Sequence, residues 1–543
     1  MTLDAARPAL YSPGMHDELL VVGALHTQDP TRPRAQAALI RGGRFACVGT
    51  RDECEQRASS SVRFIELGAG CATPGLIDAH GHVQFFGRSL NEVDCSGAAS
   101  EAECAARAAR AAAGAPPGSW IRGVGWKQDD WRETRLPTSA SLTVAVPDHP
   151  VALARGDSHA LWVNDLALRR GGIGRETKDP EGGLIMRDGA GHPTGVLVDN
   201  AMRAVFQAMP RPAPADTEAL IFRSLKSLAA VGLTSVHDAG VDRDSLEVYR
   251  KMAGEDRLPV RVYAMLDGQQ PMDKLAAQME LWARTPQIGR LTVRSVKMFA
   301  DGALGSRGAK LFEPYADDAG NSGLWLTEPG ELRRRIGAVA SAGFQPCVHA
   351  IGDHACAEVL SAYASRPELR ALRPRVEHLQ LLRPRDAQLL RASGAVASMQ
   401  PTHATSDAPW AESRLGRGTE RQKGAYAWRQ ALDAGAPLAF GSDFPIESID
   451  PRPGLRSAVA RRTAAGQAWM PEQRLTRDEA LHAFTAGAAY AEHAEGRRGM
   501  IREGYDADLT VFERDVLEVA VDELPEVPIA ATVVGGVVEY AGP

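Results

Sequence analysis

The sequence predicts an α/β fold: a (β/α)8 barrel, with a small β-sandwich domain formed by both chain ends and an insertion after the first barrel strand. Three observations predict it. Eight short apolar runs alternate with helical stretches in the middle of the chain. β-rich segments occur only at its two ends, and one interval between consecutive runs is too long for a single βα unit.

From Glu18 to Gly70 the chain reads as short strands and turns, in LLVVGALHT, QAALIRGGRFACVG and VRFIELGAG, with no helix long enough to cover them. The same character returns in ADLTVFERD (Ala507–Asp515) and ATVVGGVVEY (Ala531–Tyr540). Pairing the two ends would cover strand edges that otherwise stand exposed. Residues 1–70 and 500–543 are therefore expected to form one composite β domain.

The middle supplies the eight runs: GLIDAHGH, LTSVHDAG, VRVYAML, VRSVKMFADG, FQPCVHAIGD, PRVEHLQ, AVASMQPTH and PLAFGSDFP. Each ends in polar residues, and helical stretches such as TEALIFRSLKSLAAVG and ELRRRIGAVASAG lie between them. Eight such units favour a closed, TIM-like barrel over an open sheet, and residues 71–499 are assigned to it. The interval after the first run, residues 87–215, holds an Ala/Arg-rich helix (Ser100–Ala113), the strand-like WIRGVGW and VALARGD, and a Gly-rich loop region. It reads as a lid or substrate subdomain on the barrel top.

Bulk properties remove several function classes. With 543 residues the chain is too long for one ordinary core. A net charge of −6 leaves no basic footprint for nucleic acid and no polybasic membrane anchor. No run of about 18 apolar residues offers a membrane-spanning helix, and Met1 to Gly14 lacks the apolar core of a signal peptide. The seven cysteines are scattered, odd in number and never spaced C-x-x-C, which argues against a disulfide framework and a cysteine zinc knuckle. A reducing cytoplasm is the simplest expected setting.

A barrel makes a demand on the sequence: catalytic residues belong at the C-terminal ends of strands. His80 and His82 end the first run, Lys297 lies in the fourth, His349 ends the fifth, His378 the sixth and Asp443 the eighth. Imidazole and carboxylate suit Zn2+ and similar cations. In a strand, positions i and i+2 share a side, so His80 and His82 can meet one ion. Taken singly, each has an ordinary reading: a strand-end histidine as a hydrogen-bonded structural group, Asp443 as a turn cap, Lys297 as a barrel lysine paired to Asp301 or Glu377. Joint placement on the active ends of five of the eight repeats favours a shared metal site.

The ordered set PGLIDAHGH, VHAIGD, RVEHLQ and GSDFP, with the terminal β domain, resembles the amidohydrolase superfamily. VKMFADGALGSR, SHALWVN and QPTH are similar to its amidohydrolase 3 branch, which includes YtcJ-like proteins and N-substituted formamide deformylases. The resemblance covers nearly the whole chain. It implies two divalent metal ions, zinc by default, one held by His80, His82, Lys297 and Asp443 and the other by His349, His378 and the same Lys297. A free ammonium beside two cations would be repelled; the resemblance implies instead that Lys297 reacts with CO2 to give a bridging carbamate. It further implies a metal-dependent hydrolase in which a metal-activated water, giving its proton to Asp443, cleaves a C–N bond of a small molecule. That bond would belong to an amide, an N-substituted formamide or a cyclic amide.

Other residues are candidates for the same region. His159, Trp162 and Asn164 in the insert could line the pocket, and His403 could touch substrate or cap its loop. Asp353 could help polarise the carbonyl, Arg307 could pin a substrate anion or pair within its own loop, and His237 and Asp238 could support the ligands or simply pack. No G-x-S-x-G elbow or Cys–His pair offers a protein nucleophile. The same metal site would also serve ester or lactone hydrolysis or decarboxylation, and a non-catalytic barrel protein would be expected to lack a ligand. A homodimer is compatible with the insert as an interface, but no residue specifies it.

Overall fold

A computed structural model describes residues 18–210 and 213–542. The Met1–Gly14 segment lies outside them. At the centre stand eight strands: β1 (Leu76–Gly81), β2 (Leu233–Val241), β3 (Arg261–Asp267), β4 (Leu291–Phe299), β5 (Gln345–Ala350), β6 (Arg375–His378), β7 (Val396–Met399) and β8 (Leu438–Phe440). Each pairs in parallel with its successor, so the spatial order is the chain order. The chain beyond β8 returns to β1 through two backbone hydrogen bonds. Asp443 N–H donates to His80 O (2.7 Å) and His82 N–H to Phe444 O (2.9 Å). Gly441 permits this closure, because a Cβ there would stand 2.4 Å from His80 N. All eight expected runs are strands of this TIM-like barrel.

Alternation explains what each run buries. Val296, Val348 and Val376 pack outward against helix residues such as Leu225, Leu332 and Leu360 in one continuous core. Burying one such side chain contributes about 1.5–3 kcal/mol. The opposite parity turns Lys297, Cys347, Arg375 and Glu377 into the barrel, where all are buried. The interior is therefore polar towards its C-terminal end, which is where the chemistry can stand.

Both chain ends build one seven-stranded sheet, the β-sandwich domain. Its order is Val537–Ala541, Ile529–Val534, Leu509–Phe512, Arg63–Pro74, Leu19–His26, Arg34–Arg41, Arg44–Gly49. The N- and C-terminal contributions meet where Val511 pairs with Ala72. A short helix, Arg51–Arg57, starts at a capping box in which Thr50 and Glu53 satisfy each other's backbone N–H. Arg261, at the start of β3, fastens this domain to the barrel by donating to both oxygens of Asp508 at 2.7 and 2.9 Å.

The insert between β1 and β2 carries a six-stranded sheet of its own, ordered Gly183–Arg187, Pro193–Asp199, Ala160–Val163, Val151–Arg155, Ile121–Trp126, Val93–Asp94. The stretch read as a Gly-rich loop region thus contains a β-hairpin. Its turn is built by Asp188, whose carboxylate accepts from the Ala190 and His192 N–H groups. Trp126, Trp131 and Trp162 form the insert's core with ring centroids 6.1–6.3 Å apart. Arg414, on the helix Pro401–Leu415, donates to Asp129 of the insert (2.7 Å), which also accepts from Arg155 (2.5 Å). The insert is clamped to the barrel through this buried chain.

Candidate metal centre

The C-terminal ends of β1, β4, β5 and β6 and the turn after β8 bring His80, His82, Lys297, His349, His378 and Asp443 together. Asp443 Oδ1 lies 3.1 Å from His82 Nε2 and 3.6 Å from His80 Nε2. Lys297 Nζ is 3.0 Å from His80 Nε2. The His378 ring stands 4.7 Å from that of His80 and 4.6 Å from that of His349, centroid to centroid. Two groups of three donors result, His80–His82–Asp443 and His378–His403–Asp443, each with all ligand atoms within 4.8 Å of one another. Donors on a tetrahedral ion with bonds of about 2.0–2.1 Å stand roughly 3.3 Å apart, so the first group has the spacing a cation requires. Asp443 Oδ1 is buried without a hydrogen-bond partner among the described residues. An orphaned carboxylate oxygen ringed by imidazoles fits a divalent cation.

Backbone geometry produces this convergence. Along β6, alternation directs Arg375 and Glu377 into the barrel and would send His378 outward. His378 instead adopts φ +72°, and Asp443 adopts φ +61°. Left-handed backbone costs a non-glycine residue about 1–3 kcal/mol and persists where the surroundings over-determine it. Here it turns both side chains towards the centre.

The outward nitrogens are already committed. His80 Nδ1 meets Glu377 Oε2 (2.5 Å), His82 Nδ1 meets Ala239 O (2.9 Å) and His378 Nδ1 meets Gln400 Oε1 (2.9 Å). These oxygens accept, so each Nδ1 carries the proton and each Nε2 keeps its lone pair for the centre. His349 differs: its Nε2 lies 3.4 Å from Gly302 O, which leaves Nδ1 as the donor atom, and it stands outside both three-donor groups.

Protonation follows burial. Desolvation, with Lys297 beside it, lowers His80 to about 4, and desolvation with neighbouring cationic groups holds His349 and His378 well below the usual imidazole range. Neutral imidazole is the ligating form. Burial would raise Asp443, but the hydrogen bond from His403 and the imidazoles of His82, His378 and His80 around it keep it well below the carboxylate range. Burial would likewise raise Glu377, and Arg375 and His80 outweigh it. Desolvation brings Lys297 down to about 8 against the pull of Glu377 and Asp443. Neither Asp301 nor Glu377 pairs directly with it. Asp301 accepts from the Lys310, Ile351 and Gly352 N–H groups, and Glu377 is taken by Arg375 and His80.

The remaining candidates divide. His403 joins the site, with Nε2 3.2 Å from Asp443 Oδ2 and Nδ1 3.5 Å from Glu447. Burial would lower His403, but these two carboxylates raise it to about 10. His159 reaches in from the insert: Asp199 holds its Nδ1 at 2.5 Å, and its ring stands 5.3 Å from that of His349. Trp162 does not reach the site, because it faces the insert's core and donates to Thr138 O. Asn164 caps the helix Asp165–Arg170. Arg307 pairs with Asp317 (3.0 Å) within its own loop region, and Asp353 accepts from Phe312 N–H (3.1 Å), ordering that loop instead of facing the metal ligands. His237 bonds Arg375 beneath the site (2.9 Å), and Asp238 accepts from Val83 N–H and Tyr249 OH. Sequence reasoning did not single out Gln400, Asp199 or Glu447, and it weighed Glu377 only as a partner for Lys297.

Imidazoles converge on one buried carboxylate at the C-terminal mouth of a barrel, beneath an insert and beside a composite β domain. The amidohydrolase family profile matches residues 63–540. The chain belongs to the amidohydrolase family. This amidohydrolase is 31% identical over 530 residues to YtcJ of Bacillus subtilis (strain 168), covering 95% of this chain and 98% of that protein. It is 30% identical over 545 residues to the N-substituted formamide deformylase of Arthrobacter pascens, covering 97% and 98%. A metal-dependent hydrolase from Pyrococcus horikoshii OT3, uncharacterized in function, superposes with a TM-score of 0.76 at 27% identity, covering 93% of this chain and 99% of that one. No helix among the described residues is long and apolar enough to cross a membrane.

Proposed function

We propose that this amidohydrolase cleaves a C–N bond of a small molecule, an amide, an N-substituted formamide or a cyclic amide, with two divalent metal ions at the barrel mouth. The observation that carries this reading is the orphaned Asp443 Oδ1 within reach of two imidazoles whose outer nitrogens are already tied. His80, His82 and Asp443 would hold one ion and His349 and His378 the other, with Lys297 between them. Zinc matches these donors. Burial lowers Lys297 to about 8 and so raises the share of its neutral amine, the form that would add to CO2 with loss of a proton, giving a carbamate whose oxygens would be available to both ions. When bound there, the ions would supply Lewis acidity to the scissile carbonyl and a lower pKa for the attacking water.

The protein's own groups then handle the protons. Asp443 takes the proton from water and returns it to the leaving nitrogen, so that amide and water become acid and amine. His403 orients Asp443 through Oδ2. His159, fixed by Asp199, brings the insert into contact with substrate above His349. All seven cysteines are free and buried, in keeping with the reducing cytoplasm to which we assign the protein. The test is amine release by the zinc-loaded protein from a panel of N-substituted formamides, N-acyl amino acids and cyclic amides. Release that vanishes in Asp443→Asn supports C–N hydrolysis. Cleavage of esters or lactones, or CO2 release without amine, would replace it.

A further inference from the structure

Among the described residues, Lys127 of the insert has no direct partner. Lys127 follows the strand Ile121–Trp126 and is half-buried. Among the described residues, no acceptor lies within hydrogen-bonding reach of its Nζ and no carboxylate oxygen within 4.0 Å. The neighbouring guanidiniums differ. Arg155 is held by Gln128, Asp129 and Asp157, and Arg414 by Asp129 and Asp317.

The Lys127 stem is nevertheless ordered. A Cβ on Gly156 would stand 2.4 Å from Lys127 Cε and 2.9 Å from Cγ, so the aliphatic chain lies across the bare backbone of Gly156. Gly156 N–H donates to Trp126 O (2.9 Å), joining the two segments. Three residues further, His159 faces His349. On the barrel side, the ammonium is near enough to favour the charged forms of Asp407 and Glu447, as it does for Asp157 in the insert. Glu447 reaches His403, and His403 reaches Asp443. Lys127 therefore lies against the segment that carries His159 to the site, and its charge acts on the carboxylate that reaches His403. The three carboxylates near it have partners already: Arg155 for Asp157, Tyr426 for Asp407, Ser406 and His403 for Glu447. Ordering a lysine side chain and partly desolvating its charge both cost free energy, and no direct partner in the protein offsets that cost.

We propose that Lys127 is a specificity residue that binds a carboxylate on the substrate, so that the preferred substrates are amides carrying an anionic arm. This rests on the C–N hydrolase reading and names its substrate class. The scissile bond lies at the histidines while the arm meets the ammonium below the insert.

The test uses the metal-loaded enzyme and a matched pair, formamidopentanoate and its neutral carboxamide, formamidopentanamide. Wild type is expected to favour the carboxylate by about tenfold or more in kcat/KM, the worth of one charge-assisted hydrogen bond. Lys127→Met is expected to bring the ratio to about one. Gly156→Ala keeps the charge but displaces the stem, and should lower the ratio as well. Equal use of the pair by wild type, or a preference that survives Lys127→Met, overturns the proposal. If wild type releases amine from neither compound, the hydrolase reading is decided by the wider panel of amides, and calorimetric binding of the same pair decides separately. A carboxylate preference lost in Lys127→Met then supports the proposal, and its absence in wild type overturns it.

Discussion

Asp508 and Asp443 are both buried and sit at opposite ends of the barrel. Asp508 has both oxygens occupied: Oδ1 accepts from Arg261 Nη2 (2.9 Å) and Gly535 N–H (2.7 Å), and Oδ2 accepts from Arg261 Nε (2.7 Å). Asp443 has left-handed backbone and one oxygen without a hydrogen-bond partner. Burial would raise both carboxyls, and both are held down, Asp508 by a guanidinium and Asp443 by imidazoles. The difference separates two uses of buried charge. Where the chain ends are fastened to β3, the charge is satisfied within the protein and contributes to stability. At the barrel mouth it is left for a ligand, and the backbone carries strain to hold it there.

Exchanging the two aspartates for asparagine should break the comparison in opposite ways. Asp443→Asn is expected to lower kcat by about a hundredfold to ten-thousandfold with little loss of melting temperature in the metal-free protein. A large drop in melting temperature would show that Asp443 is chiefly structural. Asp508→Asn is expected to cost about 3 kcal/mol in denaturant unfolding, because it leaves the buried Arg261 with only the more distant Asp506 at 3.7 Å, while the folded fraction retains its turnover.

The acid limb sharpens the second case. Asp508 is depressed in the folded protein, so its contribution is fully present above the unfolded carboxylate value of about 3.9 and is lost as pH falls through the lower folded value. Wild type should therefore lose stability in acid more steeply than Asp508→Asn, measured by urea midpoints across that range. Equal slopes would contradict the depressed carboxyl. A smaller effect is expected one shell outside the site. Glu377→Gln should weaken metal affinity or activity by about 10–100-fold, read by competition with a chelator. Unchanged affinity would mean that Glu377 serves only Arg375.

The same contrast explains what was legible in the sequence. The eight strands were readable because each is a short apolar run ending in polar residues, and β-rich segments at both ends pointed to a shared terminal domain. The histidines at strand ends were readable by residue type and position. What fixes their orientation was not. Glu377 reaches His80 from another strand, Gln400 reaches His378 from the end of β7, and Asp199 reaches His159 across the insert sheet. Such partners are set by register between strands far apart in sequence. The left-handed turn at His378 is also invisible to a two-residue period, which by itself would point the imidazole outward. Trp162 shows the converse: its neighbours in SHALWVN suggested a pocket, but alternation along Ala160–Val163 turns it into the insert's core. The hairpin of residues 183–199 was hidden because glycines at its start and turn interrupt the apolar pattern.

The most direct measurement is elemental analysis of the purified protein beside its Lys297→Ala and Asp508→Asn variants. About two divalent ions per chain are expected in wild type and in Asp508→Asn, falling to about one or none in Lys297→Ala. Wild type without bound metal after loading, or occupancy unchanged in Lys297→Ala, would contradict a paired metal centre bridged at that lysine.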